Sequence, residues 1–289
     1  MSNSFLTIFT PTYNRAYYLC ALYKSIYEQN EEQIEWLIID DGSTDNTYEV
    51  VKKFIEENKL NIKYIVQKNG GKARAYNNAV RHCKSQFFMC VDSDDVLLPN
   101  SLKNILTYCS EIKDNEICAG VGSPSANRDM LNFFPRNSNE FCKLRNVYRN
   151  GYKGEMTLVY KTEVLKKFPF PEIEGEKFIT ENYLYNQIDD FYTTFFVDEN
   201  WVEYHYLEDG YSSNEKNLYI NNPKGWALVF NQRQKYARSL KERIVLCAKY
   251  WCFSKLGHNN GIISHSNYPI VTIISIPLGF YYLKNRYCI

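Results

Sequence analysis

The chain has 289 residues, 45% hydrophobic and 23% charged, a length and balance that suit a globular protein of one large α/β domain or two small ones and exclude a chain too polar to bury a core. Its net charge of +1 conceals a division: from Lys224 onward ten Lys or Arg face one acid, Glu242, for +9, leaving 24 basic and 32 acidic groups, −8, in the first 223 residues. A basic stretch behind an acidic body points to an anionic partner such as lipid headgroups or nucleic acid, or to no more than a solvated helix face.

The first 120 residues repeat one rhythm of a β-prone run, a polar turn and an amphipathic stretch. "FLTIFT" (5–10) leads to a helix near 16–29, and "EWLIID" (35–40) leads through "DGSTDNT" to "YEVVKKFIEE". "IKYIVQ" (62–67) leads through "NGGK" to a helix at 73–83, and "FFMCV" (87–91) through "DSDD" to a helix after Pro99. Strands alternating with helices at this spacing predict βαβ units on a parallel sheet, with the turns that follow the strands gathered along one ligand-binding edge. Those turns are "TPTYNR" (10–15), "DDGSTDNT" (40–47), "NGGK" (69–72) and "DSDD" (92–95). Ser43 or Asp45 can cap the helix after the second turn. Gly70 and Gly71 form a turn that, beside Lys72, would also let backbone and ammonium approach a phosphate.

From 123 to 156 the pattern dissolves into polar sequence that predicts loops and a short helix shaping a pocket. "MTLVYKTEVLKKF" (156–168) reads as a strand feeding a helix, and Glu172, Glu174, Glu176 and Glu181 precede a further helix that Thr180 could cap. Strands are expected in "FYTTFFV" (191–197) and "WVEYHYL" (201–207), and the body ends near "NNPKG" (221–225). Beyond it Trp226, Phe230, Leu240, Ile244, Cys247 and Trp251 recur at helical spacing with Arg and Lys between them, a basic amphipathic pattern. "YPIVTIISIPLGFYYL" (268–283) is uncharged but interrupted by Pro269 and Pro277, and it falls short of the ~20 apolar residues of a spanning helix. We therefore expect 1–222 to be the body and 223–289 a helical extension that associates with a monolayer, a core helix pair or oligomer contact being the alternative. The nine cysteines lack CxxC spacing and read as reduced thiols of a cytosolic protein, and the histidines (82, 205, 258, 265) lack zinc-ligand spacing. The start of the chain shows no signal-peptide pattern.

The sharpest chemical feature is Asp92, Asp94 and Asp95 at the end of a strand. Residues two apart on an extended segment point the same way, so Asp92 and Asp94 can converge on a hard cation, Mg²⁺ or Mn²⁺; hydroxyl binding or chain turning are the other uses. Neither a P-loop nor a GxGxxG pattern is present, which argues against an ATPase or a dinucleotide enzyme.

"LTIFTPTYNRAYYL", "EWLIIDDGSTDNT" and "VDSDDVLLP", in that order and spacing, resemble glycosyltransferase family 2, the inverting sugar transferases of the GT-A fold. The resemblance is strong over the first 100 residues and looser to about 215. It implies a Rossmann-like, mostly parallel sheet flanked by helices, with a donor-binding half at about 1–122 and an acceptor half at about 123–222. It also implies that Thr10, Pro11, Tyr13 and Arg15 contact the nucleotide, that Asp41 accepts from uracil and so points to a UDP-sugar, and that Asn69, Lys72, Asp92 and Ser93 complete the donor site. Asp94 would hold Mn²⁺ or Mg²⁺, with Asp95 as a second choice and His205 or Asp209 as a further ligand, although a lone His on an alternating strand is more often packed. Glu181 would be the general base; family members often carry Glu-Asp there and this chain has Glu181-Asn182. The implied partners are a nucleotide-sugar, a polysaccharide or lipid-linked saccharide acceptor and an anionic membrane face met through 224–289, with no nucleic acid. A nucleotidyltransferase of similar topology and a non-catalytic sugar-binding relative are the alternatives.

Overall fold

The computed structural model describes residues 4–124, 140–205 and 215–286. They form two compact units, the first built from the described residues up to Pro169 together with 184–205, the second from Phe170–Tyr183 and the described residues after 214. The chain passes between the units at 169/170 and again at 183/184, so that 170–183 belongs with the second.

In the first unit the sheet runs in the order β3-β2-β1-β4-β8-β6-β9-β7. Its members are β1 (Leu6–Thr12), β2 (Ile34–Asp40), β3 (Ile62–Val66), β4 (Phe87–Cys90), β6 (Cys118–Pro124), β7 (Glu140–Cys142), β8 (Met156–Lys161) and β9 (Thr193–Phe196). Six strands share one direction and β8 and β7 oppose them, so the sheet is mostly parallel as expected. Both faces are covered, which is why β1 and β2 read as near-continuous apolar runs. Leu6, Ile8, Trp36, Ile38, Phe87 and Met89 point to the side packed by α1 (Ala16–Tyr27), α2 (Thr47–Glu57) and α4 (Ser101–Ile112). Phe9 and Phe88 face the other way onto Tyr76 of α3 (Lys72–His82), with ring centroids 5.6 and 5.2 Å from it.

β1 and β4 are the point where the strand order reverses, and Pro11 lies there without cost. Alternate residues of a parallel strand bond to opposite neighbours; Phe9 O accepts from Val91 N on the β4 side, so Pro11 faces that side too. The β1–β4 ladder has already ended at Phe9–Cys90, so the missing N–H of Pro11 forfeits no ladder bond. The two strands stop pairing there, at the carboxyl ends where sheets of this kind place their ligand crevice.

β6 was not legible as a strand, because "CAGVGSP" is rich in small residues. Its glycines are steric: a Cβ on Gly120 would collide with the Val159 carbonyl and lie 2.8 Å from Tyr160 Cα on neighbouring β8. Gly120→Ala is expected to destabilise the fold by about 2–3 kcal/mol, seen as a lower urea midpoint. Of the strand expected at 201–207, residues 206 and 207 lie outside the described residues. Among the described residues 201–205, β10 (Val202–Glu203) forms and pairs with β5 (Val96–Leu97) outside the main sheet. α5 (Leu144–Arg149) is the expected short helix, and α6 (Thr162–Leu165) follows β8 as predicted.

The second unit contains α8 (Glu215–Asn221), α9 (Pro223–Gln234), α10 (Leu240–Leu256) and α11 (Pro269–Asn285). Glu176 accepts from Lys224 N and Gly225 N at 2.7 and 2.8 Å, filling the open donors at the start of α9, while Asn222 Oδ1 accepts from Lys177 N and Phe178 N at 2.9 Å. This clasp explains why 170–183 packs with the helices. Glu242, the sole acid after position 224, accepts from Arg238 N at 2.7 Å while Ser239 Oγ accepts from Glu242 N, a capping arrangement for α10. α10 itself is not the amphipathic surface helix expected from its spacing. Cys247, Ala248, Tyr250, Trp251, Cys252, Phe253 and Ser254 are all buried, because α9 packs on one side of it and α11 on the other. Among the described residues no helix is long and apolar enough to cross a membrane. α7 (Asn182–Phe191) follows Glu181 directly and links the two groups of residues along the chain.

Candidate active site

The four turns after β1, β2, β3 and β4 meet as the alternation predicts, held by hydrogen bonds between segments 20 to 31 residues apart. Asn14, in the left-handed region at φ 52°, donates its N–H to Ser43 Oγ at 2.9 Å and accepts from Thr44 N at 2.7 Å. Asp45 accepts from Ala16 N at 3.2 Å and from Thr47 N at 3.0 Å, the first amides of α1 and α2. Burial tends to raise the Asp45 carboxyl, but these bonds and that of the Thr47 hydroxyl outweigh it and hold the group below its ordinary range. Asp45 is therefore a cap, as one reading of the sequence had it, whereas Ser43 ties turn to turn. Asn14 was not singled out from sequence; its signal is a residue that tolerates the left-handed region inside "TYNR".

The paired aspartates of the second turn do different work. Asp40 accepts from Ser43 N at 2.7 Å and from the Tyr64 hydroxyl. Asp41 is buried, and its carboxylate accepts from Gly70 N and Gln67 Nε2, each at 2.8 Å, and from Gly71 N at 2.7 Å; its carbonyl takes Asn69 Nδ2 at 2.9 Å. The glycine amides are accordingly not a phosphate cradle, because Asp41 already occupies them. Gly71, at φ 88°, supplies a left-handed conformation that lets its amide turn inward. Asp41→Ala would leave two buried amides without an acceptor and is expected to cost about 2–4 kcal/mol. An unchanged urea midpoint would show that the turn stands without it.

The carboxylates of the last turn converge at the crevice. Lys72 Nζ, opening α3, donates to Asp92 Oδ2 at 2.7 Å. Burial, and then the neighbouring charge of Asp92, push the Asp94 carboxyl up, while Arg15 and Lys72 pull it down. The same causes push Asp95 up to about 8, opposed by a backbone hydrogen bond from His205. Asp95 N donates to Asp92 O at 3.1 Å and Asp95 Oδ1 accepts from His205 N at 3.0 Å, so Asp95 fixes the turn and anchors the chain after β10. The His205 ring lies elsewhere, with Nε2 3.8 Å from Glu203 Oε1. Among the described residues no three His, Cys, Asp or Glu side chains make a ready metal cage, so His205 does not complete one with Asp92 and Asp94; Asp209 lies outside the described residues. Two half-buried carboxylates, Asp92 disfavouring the charge of Asp94, nevertheless suit a hard cation of the Mg²⁺ or Mn²⁺ kind, which is commonly held by one or two carboxylates plus substrate phosphates.

The other expected donor contacts are spread unevenly. Tyr13 is exposed, and Pro11 and Arg15 are part-exposed at the crevice. Thr10 does not face it: its hydroxyl is fully buried and accepts from Trp36 Nε1 at 3.0 Å. Ser93 is buried within the turn. Glu181 is part-exposed immediately before α7.

The family model described as glycosyl transferase family 2 matches residues 7–173, more than half of the chain and all four turns. The chain belongs to glycosyltransferase family 2. It is 28% identical over 188 residues to the poly(ribitol-phosphate) beta-N-acetylglucosaminyltransferase TarS of Staphylococcus aureus, covering 62% of this chain and 32% of that protein. The chain thus spans about a third of the length of that curated relative. Its structure is similar to S. aureus TarS 1-349 in complex with UDP-GlcNAc, with a TM-score of 0.63 and 20% identity, over 96% of this chain and 81% of the other. A mannosyltransferase from Pyrobaculum calidifontis in complex with GDP-Man and Mn²⁺ gives a TM-score of 0.58 and 17% identity, over 98% and 81% of the two chains. These likenesses show the GT-A fold.

Proposed function

We propose that this glycosyltransferase moves a hexosyl or N-acetylhexosaminyl group from a UDP-sugar to a hydroxyl of a polysaccharide or lipid-linked saccharide, inverting the anomeric carbon. The observation that carries the reading is the Asp92–Asp94 pair, with Lys72 on Asp92, at the β1/β4 reversal of the sheet. The 28% identity to TarS, an N-acetylglucosaminyltransferase acting on a polymer, supports the sugar and acceptor classes.

In this reading the uridine lies along the first two turns, against Tyr13, Pro11 and Arg15, with Asp41 and Asn69 shaping the floor and Asp92 and Ser93 meeting the ribose. Asp94 and Asp92 would hold Mn²⁺ or Mg²⁺, which supplies positive charge to the departing diphosphate when bound. Lys72 adds a second cation on the same side. Glu181 takes the proton from the acceptor hydroxyl as its oxygen bonds to the anomeric carbon and the bond from that carbon to the UDP oxygen breaks, so UDP leaves from the opposite face. The enzyme works at the inner face of the cell membrane, with 224–289 in peripheral contact with anionic lipid. The deciding test is a panel of nucleotide-sugars, UDP-GlcNAc first, scored for Mn²⁺-dependent release of nucleoside diphosphate with saccharide acceptors. Release from no UDP-sugar under any metal condition would overturn the proposal.

A further inference from the structure

α11 wears its faces the wrong way round for a helix at the edge of a packed unit. Thr272, Ser275 and Gly279 are buried, and a Cβ on Gly279 would lie 2.6 Å from Trp251 Cε3 and 3.1 Å from the Ala248 carbonyl, so small residues seat α11 on α10. The opposite side carries Ile270, Ile273, Ile274, Phe280 and Tyr281, from 52 to 74% exposed. Their positions recur at helical spacing over three to four turns and make one continuous apolar stripe, where a surface helix ordinarily presents polar groups.

Charge indicates what covers the stripe. From Arg243 to Arg286 the chain has five cations and no Asp or Glu. Lys284 continues the line of the stripe and is exposed, Arg286 lies 5.9 Å over the Tyr282 ring, and Arg243 lies 4.3 Å over the Tyr268 ring where α11 begins. Exposed cations, Lys284 in line with the stripe and Arg286 just after the helix, therefore stand at its C-terminal end. A second copy of the chain is a poor occupant: one face of a 17-residue helix, roughly 25 Å by 10 Å, offers far less than the ~800 Å² per partner of a stable interface.

We propose that the Ile270–Tyr281 face of α11 docks on an anionic lipid monolayer. The helix lies in the plane of the surface, its isoleucines and Phe280 reach the acyl boundary, and Lys284 and Arg286 meet headgroup phosphates. α10, whose apolar residues from Cys247 to Phe253 are buried, takes no part. The inference rests on the membrane contact included in the proposed function and not on its chemistry, so vesicle binding is measured without sugar nucleotide and a failed transfer assay leaves it standing.

The test is co-sedimentation of the full chain with phosphatidylcholine vesicles with and without phosphatidylglycerol. Binding is expected to the anionic vesicles, falling at least about 10-fold in the Ile273→Asp/Ile274→Asp variant and several-fold in Lys284→Gln/Arg286→Gln. Ile55→Asp/Ile117→Asp adds the same charge at exposed positions of the first unit and is expected to bind as the parent does, with thermal midpoints alike in all four proteins. Equal vesicle binding by the parent and the α11 variants would overturn the proposal, as would equal loss in the Ile55/Ile117 control. A parent that sediments as an oligomer, ignores vesicles and becomes monomeric on Ile273→Asp/Ile274→Asp would assign the stripe to a second copy instead.

Discussion

Asp94→Asn is expected to abolish transfer to the limit of a sensitive assay, a loss of about 10³-fold or more, which corresponds to about 4 kcal/mol of transition-state stabilisation. The substitution keeps the shape of the side chain and removes only its charge. In the folded chain that charge is disfavoured by burial and by Asp92, so the variant is expected to melt no lower than the parent, and the loss cannot come from unfolding. The measurement pairs UDP release over a Mn²⁺ titration with a thermal midpoint. Parent-like release at all metal concentrations would remove Asp94 from the site.

Glu181→Gln carries the second large effect. Gln matches Glu in size but cannot accept the acceptor's proton, so kcat is expected to fall by about 10²–10⁴-fold, while donor affinity by calorimetry stays at the parent value. The separation of the two readouts is what distinguishes a base from a donor contact. If affinity falls with turnover, Glu181 holds the nucleotide-sugar; if neither changes, another group takes the proton. Asp94→Asn should differ from it in the metal titration, since only that substitution touches the cation.

Much of the sheet and its turns up to residue 112 was readable because the logic there is local. A β-prone run ending in "DSDD" puts carboxylates at a strand end whatever the rest of the chain does, and the βαβ spacing of residues 5–112 implies which turns share an edge. The partners of those turns were not readable. Asp41 is one of two adjacent acids in "DDGS", yet its role depends on amides 29 and 30 residues away, and nothing in either segment encodes that distance. His205 illustrates the same limit. Its backbone is 3.0 Å from Asp95 through the β5–β10 pairing, while its ring associates with Glu203.

The helices after Pro223 mark the sharper boundary between the two kinds of knowledge. By itself the sequence determined that they are helical, that they are basic and that none is long enough to span a membrane, since propensity, charge and length are properties of the chain alone. Which helix shows its apolar side to solvent was decided by packing. α10 has the better surface-helix pattern and is buried between α9 and α11, whereas α11 seats a row of small residues against Trp251 and thereby turns its isoleucines outward. Periodicity finds the faces of a helix, but only the neighbours that fit those faces decide which one is covered.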